Sequence, residues 1–178
     1  MKQKIIVIGA GGHGKVVSDA IIAQDKYILV GFVDVLLPIG TEVIGGFKVI
    51  EKQENLHLLK SKADVFLVAI GNNKVREVLF HLAAEYLSPA IVIHPSVILG
   101  SNVSIGEGTV ILANAIISAF SEIGNNTIIN ASSVVDHECR IGSNCHISIG
   151  TMVGSNSVVE DNYTSSIGEN ISSFSMVK

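Results

Sequence analysis

The sequence predicts a Rossmann-like α/β half domain over residues 1–92 and a left-handed parallel β-helix over residues 93–178. Two observations carry this division. Residues 1–92 alternate short apolar runs with helical spacing, the order of a parallel sheet covered by helices. From Ile93 onward an aliphatic residue returns every six positions, a period that neither an amphipathic helix nor a flat strand has.

In the first region, residues 5–8 form an apolar strand and Gly9-Ala10-Gly11-Gly12-His13-Gly14 a turn. Residues 15–23 then take helical spacing through Val16, Val17, Ala20 and Ile21. A second strand covers 28–33 and ends at Asp34; a third covers 66–70 and runs into Gly71-Asn72-Asn73. A second helix over 74–86 is predicted to pack through Val75, Val78, Leu79 and Leu82. A glycine-rich turn between strand and helix lets backbone approach a pyrophosphate, with negative charge favoured at the helix N-terminus. Asp34, twenty residues past Gly14, lies where a ribose-binding carboxylate belongs. Some 92 residues hold only one mononucleotide half, so a nucleotide sugar fits better than a dinucleotide.

In the second region the periodic residues run from Ile93, Leu99, Ile105 and Ile111 to Ile147, Val153 and Val159, twelve hexads without a slip. Four positions after each but the last stands a small or β-branched residue, from Val97, Val103 and Thr109 to Cys145, Thr151 and Ser157. Three hexads build one coil of a triangular prism, so twelve give four coils. The aliphatic residue points inward and the small one fills the taper beside it. Gly and Asn residues, including Gly100, Gly106, Gly124, Gly142 and Gly154, suit corners with unusual dihedrals. Cys139 and Cys145 occupy one hexad position on successive walls, too far apart for a disulfide, and act as small core fillers.

Composition narrows the function. Net charge is −4 with no basic run, which argues against nucleic acid as a partner. No apolar stretch is long enough to span a bilayer and no signal peptide is visible, so the expectation is a cytoplasmic protein with no membrane partner.

The chain resembles the hexapeptide-repeat sugar acyltransferases with an N-terminal nucleotide-binding domain, among them UDP-4-amino-sugar N-acetyltransferases and sialic acid O-acetyltransferases. The resemblance rests on residues 8–15 (IGAGGHGK), on Ala69-Ile70-Gly71-Asn72-Asn73, on His94-Pro95, and on residues 132–142 (SSVVDHECRIG) followed by His146. It implies a homotrimer with acetyl-CoA between neighbouring prisms. The general base falls on His137, with Glu138 orienting it or raising its basicity, and a second histidine near the acetyl-CoA thioester falls on His146. Contacts to the UDP-sugar fall on Gly11, Gly12, His13, Asp34 and Gly71.

Read from the residues alone, His137 lies at an outer edge, because Val135 and Cys139 take the interior. A histidine there is suited to remove a proton as a sugar amine or hydroxyl attacks the thioester. On a straight strand Glu138 would point away from His137, so the pairing needs a bend, and Asp136 competes as the orienting group. His146, half a coil on, meets His137 only across a subunit boundary. His94 reads as structural; His57 and His81 read as surface residues.

After Val159 the pattern reads as broken. Tyr163 takes a position held by small residues, and Ile167-Gly168 falls two residues out of phase. The family's further hexads and its Gly-x-Pro-Ala turn do not follow. These features predict a shortened prism capped by Phe174 and Met176, weakened acetyl-CoA binding and doubtful activity. The leading expectation is therefore an acetyl-CoA-dependent N-acetyltransferase of a UDP-linked amino sugar. O-acetylation of sialic acid or another hydroxyl, and a nucleotide-sugar-binding homologue without turnover, are the alternatives. A zinc hydratase needs three converging histidines, and no third is well placed beside His137 and His146, so no metal is expected.

Overall fold

The apolar run that opens the chain becomes β1 (Gln3–Ile8), whose last four residues are buried, in a computed structural model that describes residues 1–178. Met1–Ala90 forms one unit and Ile91–Lys178 a second.

The first unit continues with α1 (Gly12–Gln24), β2 (Tyr27–Val33), β3 (Glu42–Ile44), β4 (Phe47–Glu51), a kinked 3-10 segment (Gln53–Ser61), β5 (Val65–Val68), α2 (Asn73–Ala84) and β6 (Ser88–Pro89). The sheet order is β3-β4-β2-β1-β5-β6. All pairings are parallel except the β3–β4 hairpin, which turns through Gly45 and Gly46 at positive φ. β1 lies between β2 and β5, so the turns leaving β1 and β5 share one end of the sheet. That end is where ligands bind in open α/β sheets.

Helix α1 buries Val17, Ala20 and Ile21 as the spacing predicts but leaves Val16 exposed. Helix α2 departs from expectation. Leu79 is buried, but Val75, Val78 and Leu82 are exposed, and the inward positions are Asn73, Arg76, Leu79 and Ala83. The cause is Arg76, only 1% exposed. Its guanidinium turns in to donate to the carbonyls of Ile70 (3.0 Å) and Gly71 (3.2 Å) and to Asn73 Oδ1 (2.7 Å). Those bonds satisfy a buried charge and rotate the helix away from its apolar stripe.

The second unit is the three-walled parallel β-helix. Its strands are two residues long, and each pairs with the strands eighteen residues before and after it. Val110–Ile111, for example, lies between Val92–Ile93 and Ile128–Ile129. The first wall runs to His146–Ile147, the second from Ile98–Leu99 to Asn170–Ile171, the third from Ser104–Ile105 to Met176–Val177. The inward aliphatic residues form one continuous core from Ile111 to Ile171.

The small position does more than fill space. Ser121, Thr127, Ser133 and Ser157 donate their hydroxyls to the carbonyl fifteen residues on, at 2.7–3.0 Å. The thiols of Cys139 and Cys145 do the same toward Gly154 and Glu160. Neither thiol is in a disulfide and both are buried, and burial pushes the Cys139 thiol above its ordinary value. These side chains satisfy corner carbonyls that no strand partner reaches.

Two sequence expectations about the prism are corrected. Left-handed backbone recurs once per hexad, from Asn102, Gly108, Asn114 and Phe120 to Asn162, Gly168 and Phe174. Gly100, Gly106, Gly124, Gly142 and Gly154 are not among these corners. They are required because a Cβ there would strike the backbone or a side chain of the adjoining coil. The tail is also in phase. Ser165 takes an inward position and is buried, and Ile171 and Val177 follow six and twelve residues later. Asn170–Ile171 and Met176–Val177 add strands to the second and third walls, and Thr164 bridges to His146 on the first. Tyr163 packs against the core and donates to Glu169 Oε1 at 2.5 Å; burial and that carboxylate push its phenol up to about 12. The tail is thus a fifth coil with polar residues at two core positions. Phe174 and Met176 are exposed and cap nothing.

Candidate active site

In the β-helix the site begins at one corner. His137 stands between the second-wall strand Val134–Val135 and the third-wall strand Arg140–Ile141. Glu138 occupies the left-handed corner itself, at φ 59°. That reversal supplies the bend that a straight strand lacks, and it brings Glu138 Oε2 to 3.0 Å from His137 Nδ1. Asp136 is occupied otherwise: its Oδ1 accepts the His137 backbone N–H at 2.8 Å. Because a carboxylate only accepts, Nδ1 is the donor, which leaves the lone pair on Nε2. The His137 and Glu138 side chains are 50% and 57% exposed, so Nε2 is accessible to a reactant. One coil further on, Asn156 approaches Glu138 Oε2 through Nδ2 at 3.5 Å.

His146 lies on the first wall, half-buried, with Asn130 Nδ2 3.0 Å from its Nε2. Asn130 Oδ1 accepts the Ala131 N–H at 2.8 Å, which fixes the amide so that its NH2 faces the ring. His146 Nε2 is then an acceptor and Nδ1 carries the proton. Sequence reasoning gave Asn130 no role; its place just past the strand adjacent to His146, sixteen residues before it, is the available signal. His137 and His146 belong to different walls. No group of three or more His, Cys, Asp or Glu side chains converges as a metal site would require. A shallow depression of about 570 Å3 on the third wall, over Glu122, Arg140 and Val158, contains none of the predicted site residues.

In the α/β unit, Gly9 has φ 109° and Gly11 is the N-cap of α1. Gly14 packs so tightly on the Gly9 carbonyl that a Cβ would collide with it. Around Gly11 and Gly12, by contrast, a Cβ would meet nothing within 4 Å, so the helix N-terminus is open. His13 is the second residue of α1 and half-buried. Asp34 Oδ2 accepts the Ala10 N–H at 2.9 Å, and Oδ1 accepts from Leu36 (2.9 Å) and Leu37 (3.0 Å). Burial opposes ionisation of Asp34, but those three N–H groups and the charge of Lys52 hold it below the usual carboxylate range. Asp34 therefore ties the glycine turn to the loop after β2, with about one acceptor position of a carboxylate's four to spare. Gly71 sits in the facing turn, its carbonyl held by Arg76. His57 and His81 are exposed, and His94 Nδ1 contacts Ser96 Oγ at 2.8 Å.

Comparison with known proteins covers both units. The PglD N-terminal domain matches residues 4–82, and the GMPPB C-terminal domain matches residues 75–170. The UDP-N-acetylbacillosamine N-acetyltransferase of Bacillus subtilis strain 168 is 35% identical over 122 residues, 62% of this chain. The match spans about half of that relative, 52% of its length. Among solved structures, the acetyltransferase domain of PglB from Neisseria gonorrhoeae FA1090, in complex with acetyl coenzyme A, superposes with a TM-score of 0.78 at 29% identity; the match covers 97% of this chain and 94% of that one. PerB from Caulobacter crescentus, in complex with CoA and GDP-perosamine, gives a TM-score of 0.75 at 31% identity over 97% of this chain and 84% of that one.

Proposed function

The chain belongs to the left-handed β-helix sugar acetyltransferase family, and from that membership we propose that it transfers the acetyl group of acetyl-CoA to the amine of a UDP-linked amino sugar, with His137 as general base. The observation that carries the reading is the His137–Glu138 hydrogen bond at a left-handed corner. An exposed imidazole with its Nδ1–H held by a carboxylate presents a basic Nε2, the arrangement that acid–histidine pairs use. As the sugar nitrogen bonds to the thioester carbonyl carbon, Nε2 takes the nitrogen's proton. The C–S bond then breaks, CoA leaves as the thiol or thiolate, and Glu138 stabilises the imidazolium formed in between.

The α/β unit is assigned the nucleotide. The open N-terminus of α1 at Gly11, Gly12 and His13 suits a diphosphate, with Gly71 and the remaining acceptor of Asp34 beside it. Two relatives, the Bacillus subtilis UDP-N-acetylbacillosamine N-acetyltransferase and PerB in complex with GDP-perosamine, support a nucleoside-diphosphate amino sugar as acceptor. His146 is assigned to acetyl-CoA, on the first wall where Asn130 holds its ring through Nε2. A homotrimer, with the donor lying between neighbouring prisms, brings His146 of one copy toward His137 of another.

CoA release from acetyl-CoA, followed with panels of UDP- and GDP-linked amino sugars, tests the activity. His137→Ala is expected to lower kcat by about 10²–10⁴-fold. The Tm should hold, because the side chain is half exposed. Retained turnover in that variant removes His137 as the base.

A further inference from the structure

The corner carrying Glu138 belongs to a column of five residues, Asn102, Phe120, Glu138, Asn156 and Phe174, each eighteen apart and each at φ between 57° and 61°. Backbone bonds stack them: Phe120 N–H donates to Ser101 O, Glu138 N–H to Ala119 O and Asn156 N–H to His137 O, at 2.9–3.1 Å. Phe120 therefore stands one coil, about 4.8 Å, from Glu138. Asparagine tolerates left-handed backbone, whereas a bulky side chain is disfavoured there. The Phe120 ring is moreover 59% exposed and adds little to the core. Folding alone favours Asn at this corner on both counts, and strain of this kind concentrates at functional sites.

We propose that the Phe120 ring is the platform on which the apolar face of the acceptor sugar rests while its amine meets His137. This inference depends on the acetyltransferase reading above. A pyranose presents a face of C–H groups that packs on an aromatic ring, and a base must lie within hydrogen-bond reach of the proton it takes. On the far side of the pair, Asn156 already leans on Glu138 through Nδ2; the near side offers Phe120. Phe174 provides an internal comparison, since it has the same backbone (φ 60°) and 78% exposure but lies two coils beyond Glu138, past Asn156.

The test is Phe120→Asn beside Phe174→Asn, with steady-state kinetics, thermal melts and sedimentation on the full chain. Both substitutions relieve a left-handed phenylalanine, so both raise Tm by a few degrees. Only Phe120→Asn raises KM for the amino-sugar acceptor, about tenfold, leaving kcat and KM for acetyl-CoA within about twofold, the pattern of lost uniform binding. Phe120→Tyr keeps the ring and retains the acceptor KM. An unchanged acceptor KM in Phe120→Asn overturns the proposal. So does an effect confined to acetyl-CoA, or a change in oligomeric state, which would place the ring against the donor or a second copy. Absence of CoA release by the unsubstituted protein, with every acceptor tried, defeats the acetyltransferase reading itself and the platform with it.

Discussion

The two units meet the same physical demands in opposite ways. In the β-helix, corner carbonyls are met by one device repeated along the prism, a hydroxyl or thiol at the small position from Ser121 to Ser157. In the α/β unit the buried charges at Arg76, Asp34 and Glu51 each have a separate solution. Arg76 turns under α2 onto two carbonyls and Asn73, Asp34 bridges two loops, and Glu51 pairs with Lys62 at 2.7 Å. A repeat makes departures visible, and the departure at Glu138 holds His137. A one-off arrangement has no period to depart from, so its purpose appears only in three dimensions.

Steric tolerance sharpens the contrast most. A Cβ on Gly124 would lie 2.6 Å from Gly142 C and Ser143 N, backbone of the next coil that cannot swing aside. Gly124→Ala is expected to cost about 3 kcal/mol or more, as overpacking does, and to lower the β-helix melting transition by roughly 12–24 °C. The same change at Gly11, where nothing stands within 4 Å, should cost under about 1 kcal/mol. Equal losses at the two sites, measured by calorimetry, would mean that the coils can spread apart.

Electrostatics provides the second break. The Glu51 carboxyl, 7% exposed, is held down to about 2 from 4.5, chiefly by the hydrogen bond from Lys62, then by Asn55 and the Lys52 N–H. Its folded value is depressed, so its contribution is fully present above the unfolded value of 4.5 and disappears as pH falls through about 2. That shift corresponds to about 3 kcal/mol. Glu51→Gln should lose this much in urea denaturation at pH 7 and draw level with the unsubstituted protein near pH 2. The β-helix transition should not move in the variant.

The same contrast explains what could be read from sequence. The prism, its six-residue period and the edge position of His137 follow from side-chain size alone, because every wall repeats one packing problem. The bend at Glu138 was legible only as a requirement. Glutamate is no marker for left-handed backbone, whereas the Asn at 102, 114, 126, 144 and 156 is. The tail is illegible in sequence because Tyr163, Ser165 and Glu169 break the chemical pattern while keeping the spacing. Polar groups at core positions read as an interruption until their mutual hydrogen bonds are seen. The buried face of helix α2 is hidden from sequence because Val75, Val78 and Leu82 form a convincing apolar stripe, and only the acceptors around Arg76 reveal which face goes in. The β3–β4 hairpin and the 3-10 segment gave too short and mixed a pattern to read at all.

The smallest expected effect probes the repeated device itself. Thr127 Oγ1 donates to Gly142 O at 2.8 Å and accepts the Cys145 N–H at 3.0 Å, so one hydroxyl serves two adjoining coils. Its own N–H is bonded in turn to Thr109 Oγ1 at 3.1 Å. Valine has nearly the same shape, so Thr127→Val leaves packing in place and orphans one buried donor and one acceptor. Such a loss costs about 1–2 kcal/mol, more than the net worth of a single exposed hydrogen bond because the partners stay buried. The β-helix melting temperature should fall by roughly 4–16 °C, and the Cys145 amide should exchange its hydrogen faster than its neighbours. If stability is unchanged and that amide stays protected, the hydroxyl column is filler, and the inward aliphatic residues alone hold the coils together.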